Sequence, residues 1–215
     1  MAYSPSGERP DIAPNSKPYL FKRIIADGFD TVTVFLVFYV LLMLLLNTPL
    51  ANTYNGHYDN YRQIEKATVE EYGNDAKAIT DALNGNEYYK EIRFAANLHS
   101  YLLKLLAGSV AEIVLLLVVP LVSKRRQTFG KTLMGVMPFC ERTQSAASRL
   151  QIFGRFAFIL ILDSALLYLV TGIYTFLLVP VIRLTEMLLN RKNKTVCDAV
   201  SGVMIIEQSS YNGIN

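Results

Sequence analysis

The chain has 215 residues, 52% of them apolar and 18% charged, with a formal net charge of +3, no tryptophan and two cysteines. Its apolar residues gather in blocks at about 31–46, 102–122 and 156–189 instead of following the short periods of a soluble core, which predicts an integral membrane protein. The length suits a small multi-span bundle, and no basic groove interleaved with aromatics points to nucleic acid.

Residues 1–17, rich in Pro, Ser and charge, are read as a disordered cytoplasmic tail. The apolar run that follows is too long for a signal-peptide core and has no A-x-A-like site after it, so it is expected to act as an uncleaved signal anchor. The first span is predicted over about 24–46, with Pro18 in the first turn of its helix and Asn47-Thr48-Pro49 closing it. Arg23, Asp27 and Asp30 share one helical face. The uncharged stretch after Asp30 is only about 16 residues, or roughly 24 Å of helix. A bilayer core needs about 20 residues, so Asp30 is drawn into the inner edge of the hydrocarbon, where a carboxylate must find a partner. An acid merely favoured by the helix N-terminus would sit in the first turn, and Asp30 lies beyond it. Asp27 is read as an interfacial carboxylate within reach of Arg23.

The segment 47–98 is polar and Tyr-rich, with helix-like spacing at 61–72 and 75–83 and a break at Asn84-Gly85-Asn86. It is expected to form a small extracytoplasmic cap of short helices. His57 and His99 fall in or near it, and neither has a second ligand at metal-site spacing, so no zinc site is expected. The second span is predicted over 101–122, with Lys104 snorkelling at its outer end. Glu112 has about ten residues on either side and cannot escape, so it must face protein or water.

A basic connection follows. Its Gly130-Lys131-Thr132 invites a phosphate-loop reading, but the glycine that the loop needs five positions earlier is Arg125, and no strand precedes it. The last block, 156–189, would make about 51 Å of helix, too long for one span. Two spans with a turn at Thr171-Gly172 fit better, although one of them could be re-entrant. Asp163 lies within the third span, and Arg183 with Glu186 lies on the fourth at helix-pairing distance. Arg23 precedes Asp30 by seven residues and Arg155 precedes Asp163 by eight, a faint echo between the two halves. Residues 209–215 form a short tail.

Basic residues cluster at 17–23, 124–155 and 191–194, while the segment outside is acidic, so both termini and the 123–150 loop are placed in the cytoplasm. Cys140 and Cys197 fall on that side and are expected to be free thiols. The fold class is thus an all-α membrane protein, a bundle of about four transmembrane helices with an extracytoplasmic loop between the first and second.

Four stretches recur in one order: Arg23-Ile24-Ile25-Ala26 with Asp30; Gln127-Thr128-Phe129-Gly130-Lys131 with Gly135-Val136; Arg149-Leu150 with Arg155; and Arg191-Lys192 leading to Thr195-Val196-Cys197-Asp198-Ala199-Val200-Ser201-Gly202. Together they resemble the RDD family of small, mostly bacterial multi-span membrane proteins, over residues 18–208 without the external insertion. The resemblance implies that Arg23, Asp30 and Asp198 are the family's named charges, and it implies a general role in transport without a defined substrate. Cys197 stands where histidine is common, and Val203 replaces the usual threonine. Topology further predicts that Arg23, Asp30 and Asp198 form one charge cluster at the cytoplasmic edge.

Two functions of different class follow. Carboxylates on each span (Asp30, Glu112, Asp163 and Glu186) suit a transporter that trades a small monovalent cation for a proton. Glu112 and Asp163, with Asp27, are the candidate ion-binding groups, and Arg183 is a candidate gate. Four short spans make a thin pathway, which favours a homo-oligomer. The alternative is a non-transporting membrane protein that docks or regulates a partner, its polar residues fastening helices together and its basic loops attracting anionic lipid. No catalytic residues, cofactor or metal are expected; the lipid bilayer is the expected surrounding.

Overall fold

Helix α1 (Lys17–Leu46) is unbroken over 30 residues because nothing after Pro18 interrupts the backbone ladder. In this computed structural model the described residues are 17–140, 142–161, 175–190 and 194–209. Buried Arg23, Ala26, Asp30, Val34 and Phe38 recur every third or fourth position on α1, while Val32, Leu36 and Val40 lie bare. The hidden stripe carries the ions and the exposed side is apolar, the reverse of a water-soluble amphipathic helix. Among the described residues two helices, Leu20–Leu46 and Glu87–Val122, are long and apolar enough to cross a membrane. Most of each apolar stretch is exposed, only 17% of it being buried.

The chain divides into two compact units. The unit Tyr39–Ala107 contains a 3₁₀ turn (Pro49–Ala51), α2 (Asn52–Tyr72), α3 (Ala76–Gly85) and the start of α4 (Glu87–Glu112). Helix α2 is longer than its sequence spacing predicts. It ends at Gly73, whose φ of +61° suits a residue without Cβ. The Asp75 carboxylate then caps α3 by accepting from the N–H groups of Lys77 and Ala78 at 3.1 and 3.0 Å. Tyr54, Tyr58 and Tyr61 form a ring-to-ring ladder along α2 that continues to buried Tyr89 on α4, whose hydroxyl donates to Glu65 at 2.7 Å. His57 and His99, far apart in sequence, stack with ring centroids 5.6 Å apart.

The other unit combines Met1–Phe38 with Gly108–Asn215. Here the helix of the second predicted span widens into a π-helical segment (Ile113–Val118) directly after Glu112, before the last turn α5 (Val119–Val122). Val119 N–H bonds Val114 carbonyl, five residues back. Pro120 lacks the N–H that would reach Leu116, and the wider turn makes room for its ring. Next come α6 (Phe129–Met134), β1 (Val136–Cys140), β2 (Ser145–Ala146) and α7 (Arg149–Phe158), which Ser148 and Gln151 open with a reciprocal capping box. Helices α8 (Thr175–Leu189) and α9 (Val196–Ser201) and strand β3 (Val203–Glu207) complete the unit.

The three strands form an antiparallel sheet in the order β2-β1-β3, which corrects the all-α expectation for a mostly helical chain. Val136, Val203 and Ile205 pack on one face with Ala26 of α1 and Ile152 of α7, while Met137, Phe139, Met204 and Ile206 cluster on the other. Strands buried on both faces show no alternation of polar and apolar residues, and Pro138 further disguises β1.

A repeat lies across this sheet. Thr128, Gly135 and Val136 correspond to Thr195, Gly202 and Val203. Each threonine is an extended N-cap, and each glycine closes a six-residue helix in the left-handed region, at φ +63° and +65°. In the ladder Val136 pairs with Glu207 and Cys140 with Val203, so the two strands exchange roles about the central pair Pro138–Ile205. Helices α6 and α9 are thus related by a local two-fold.

Candidate functional site

Three cations and three carboxylates meet between α1, α6, α7 and α9. Asp198 is fully buried on α9. It accepts from the Arg23 guanidinium, from Arg155 Nε at 2.7 Å and from Thr195 N–H at 3.1 Å. The same residue donates its own N–H to Thr195 Oγ1, closing a capping box. Burial alone would favour the neutral acid, but the charges of Arg23 and Arg155 outweigh it. Aided by the hydrogen bonds from Arg155 and Thr195, they hold the carboxyl well below its ordinary range.

One and two turns further along α1 the partner changes. Lys131 of α6, 3% exposed, places its ammonium 3.2 Å from Asp27 and 3.1 Å from Asp30. Asp30 also accepts Thr128 Oγ1 at 2.5 Å and the Gly130 N–H at 2.7 Å. Its carboxylate therefore caps α6 from across the helix interface. The approach is possible only because residue 130 is glycine: a Cβ there would fall 2.1 Å from the Ala26 carbonyl oxygen. The Gly130 amide of the stretch that suggested a phosphate loop is thus occupied by a carboxylate of the same chain.

Beyond Asp30 lies a cavity of about 40 Å³, lined by Asp30, Thr31 and Val34 of α1, Glu112 and Leu116 of the second long helix, and Val179 and Arg183 of α8. A space of this size holds an ordered water or a small desolvated ion. Glu112 is the last residue before the π-helical segment and Leu116 is inside it, so the backbone irregularity borders the cavity.

The sequence-predicted residues fall as follows. Arg23 and Asp198 are bonded to each other, and Asp30 belongs to the adjoining Lys131 group on the same helix face. Asp27 pairs with Lys131. Glu112 and Arg183 line the cavity with Asp30. Glu186 accepts the Val196 N–H at 3.1 Å at the start of α9. Asp163 and the turn at Thr171-Gly172 lie outside the described residues. Cys140 and Cys197 are free and buried. Among the described residues no group of three or more His, Cys, Asp or Glu side chains could hold a metal ion.

Two central partners, Lys131 and Arg155, entered the sequence reading only as members of the basic connection and its motifs, with no partner assigned. The signal that finds Lys131 is its place in the repeat, since it corresponds to Asp198, and each is the inward charge of a threonine-capped helix. No protein-family model, curated protein or solved structure matches the chain.

Proposed function

We propose that this is a multi-pass membrane protein of the RDD type, with four spans and both termini in the cytoplasm, that exchanges a small monovalent cation for protons. The observation that carries the reading is the cavity between α1, the π-broken helix and α8, where Asp30, Thr31, Glu112 and Arg183 converge. An ionisable group inside a helix bundle is costly and is retained for function more often than for packing. Both oxygens of Asp30 are engaged by Thr128, Gly130 and Lys131; proton exchange is assigned to Glu112 for its depth in the second span. Ionised Glu112 would hold a cation with Thr31 and water; protonated Glu112 would release it. Arg183 supplies the counter-charge when the cavity is empty. A homo-oligomer completes the pathway that four short spans cannot enclose alone.

The test is flux in liposomes loaded with a pH dye and pulsed with sodium, potassium or lithium. Wild type is expected to move protons against at least one cation, and Glu112→Gln to abolish that movement. Asp163→Asn shows whether the third predicted span shares the site. No wild-type flux above empty liposomes would overturn the transport reading in favour of partner docking.

A further inference from the structure

The twin helices α6 and α9 are built inside out. Each turns two residues inward, Gly130 with Lys131 and Cys197 with Asp198, all of them buried. Each turns its apolar residues outward at matching positions: Phe129 and Leu133 are 51% and 55% exposed, Val196 and Val200 are 48% and 62% exposed. A helix of a water-soluble protein would hide these side chains and show its charge. One such helix would mean little, but the same exposure pattern stands on both arms of the local two-fold.

Cations precede each of the two helices in the sequence. Lys124 and Arg125 precede the Thr128 cap, and both are exposed. Neither pairs with a carboxylate among the described residues. Arg191 and Lys192 occupy the corresponding sequence positions before Thr195. No acidic residue occurs from 123 to 134 or from 191 to 197. The one acid of α9, Asp198, is fully buried and spent on Arg23 and Arg155. An apolar outward face preceded by cations complements acyl chains below and phosphate groups above.

We propose that α6 and α9, with the cations preceding each, are paired seats for anionic phospholipid at one interface of the membrane. The proposal rests on the reading of the chain as a membrane protein, and it goes beyond transport because it assigns a lipid class to a second surface.

The absence of native tryptophan allows a direct test. Phe129→Trp, Val196→Trp and, as a control on the exposed flank of α1, Leu36→Trp are reconstituted as full-length protein. The vesicles contain equal amounts of phosphatidylglycerol and phosphatidylcholine, with only one of the two brominated near the headgroup end of its acyl chains or, for the control, near the chain terminus. Tryptophan at 129 and at 196 is expected to be quenched about twofold more when the bromine is on the anionic lipid. Adding Lys124→Gln and Arg125→Gln is expected to remove that preference at 129 and leave it at 196. Equal quenching by the two lipids would overturn the proposal, as would acrylamide quenching in place of lipid quenching, or shielding from both by a protein partner. An unquenched Leu36→Trp would instead overturn the membrane reading beneath it.

Discussion

Asp198 accepts from the buried guanidinium of Arg23 and the largely buried one of Arg155, so Asp198→Asn removes the carboxylate that both arginines share. Breaking one side of a buried ion pair costs about 3–5 kcal/mol, and that loss is expected in denaturant unfolding of the detergent-solubilised protein. Asp59→Asn, on the exposed side of α2, is expected to stay within about 0.5 kcal/mol of wild type. The acid dependence has a definite sign. The folded-state pKa of Asp198 lies below its unfolded value of about 3.9. Its contribution is therefore whole above that pH and is lost as the pH falls toward the folded pKa. The stability gap between wild type and Asp198→Asn should thus be constant from about pH 5 to 8 and narrow below about pH 4. A gap that widened on acidification would contradict the ion-pair account.

At the scale of elements, the decisive contact is the close crossing of α6 over α1. Gly130→Ala would drive a methyl group into the Ala26 carbonyl and pull two donors away from Asp30. Overpacking costs about 1–3 kcal/mol and a hydrogen bond to a charged group about 1.5–3, so a loss of about 3 kcal/mol or more is expected. Gly56, inside α2 with nothing within 4 Å of its Cβ position, provides the contrast. Gly56→Ala should raise stability by about 0.5–1 kcal/mol through helix propensity. Thermal melts of the two variants against wild type decide it. The long helices were legible in the sequence because apolar blocks of about 16 to 20 residues with so few charges admit little else. The Arg23–Asp198 contact was approachable too, since topology returned both residues to one level. Strands β1 and β3 were not legible: five residues buried on both faces carry no period, and their pairing depends on chain ends brought together by the spans. The Lys131 contact of Asp27 was not legible, because that partner comes from another helix.

For the whole molecule, the proposed topology places the tip of the α2–α3 turn outside and the connection before α6 inside. Both native thiols are buried, so introduced cysteines report without background. Asn74→Cys is expected to react with a membrane-impermeant maleimide in intact cells, and Lys124→Cys only after permeabilisation; the opposite pattern would invert the arrangement. The ion cluster has a further consequence for biosynthesis. Arg23 and Asp198 stand 175 positions apart, yet each is the other's buried partner. Helix α1 leaves the ribosome long before the residue that supplies the carboxylate for its arginine. Synthesis thus runs in one direction and commitment in the other. A chain interrupted before residue 198 lacks the carboxylate that Arg23 and Arg155 share, which marks it as unfinished to any quality-control machinery that surveys the bilayer.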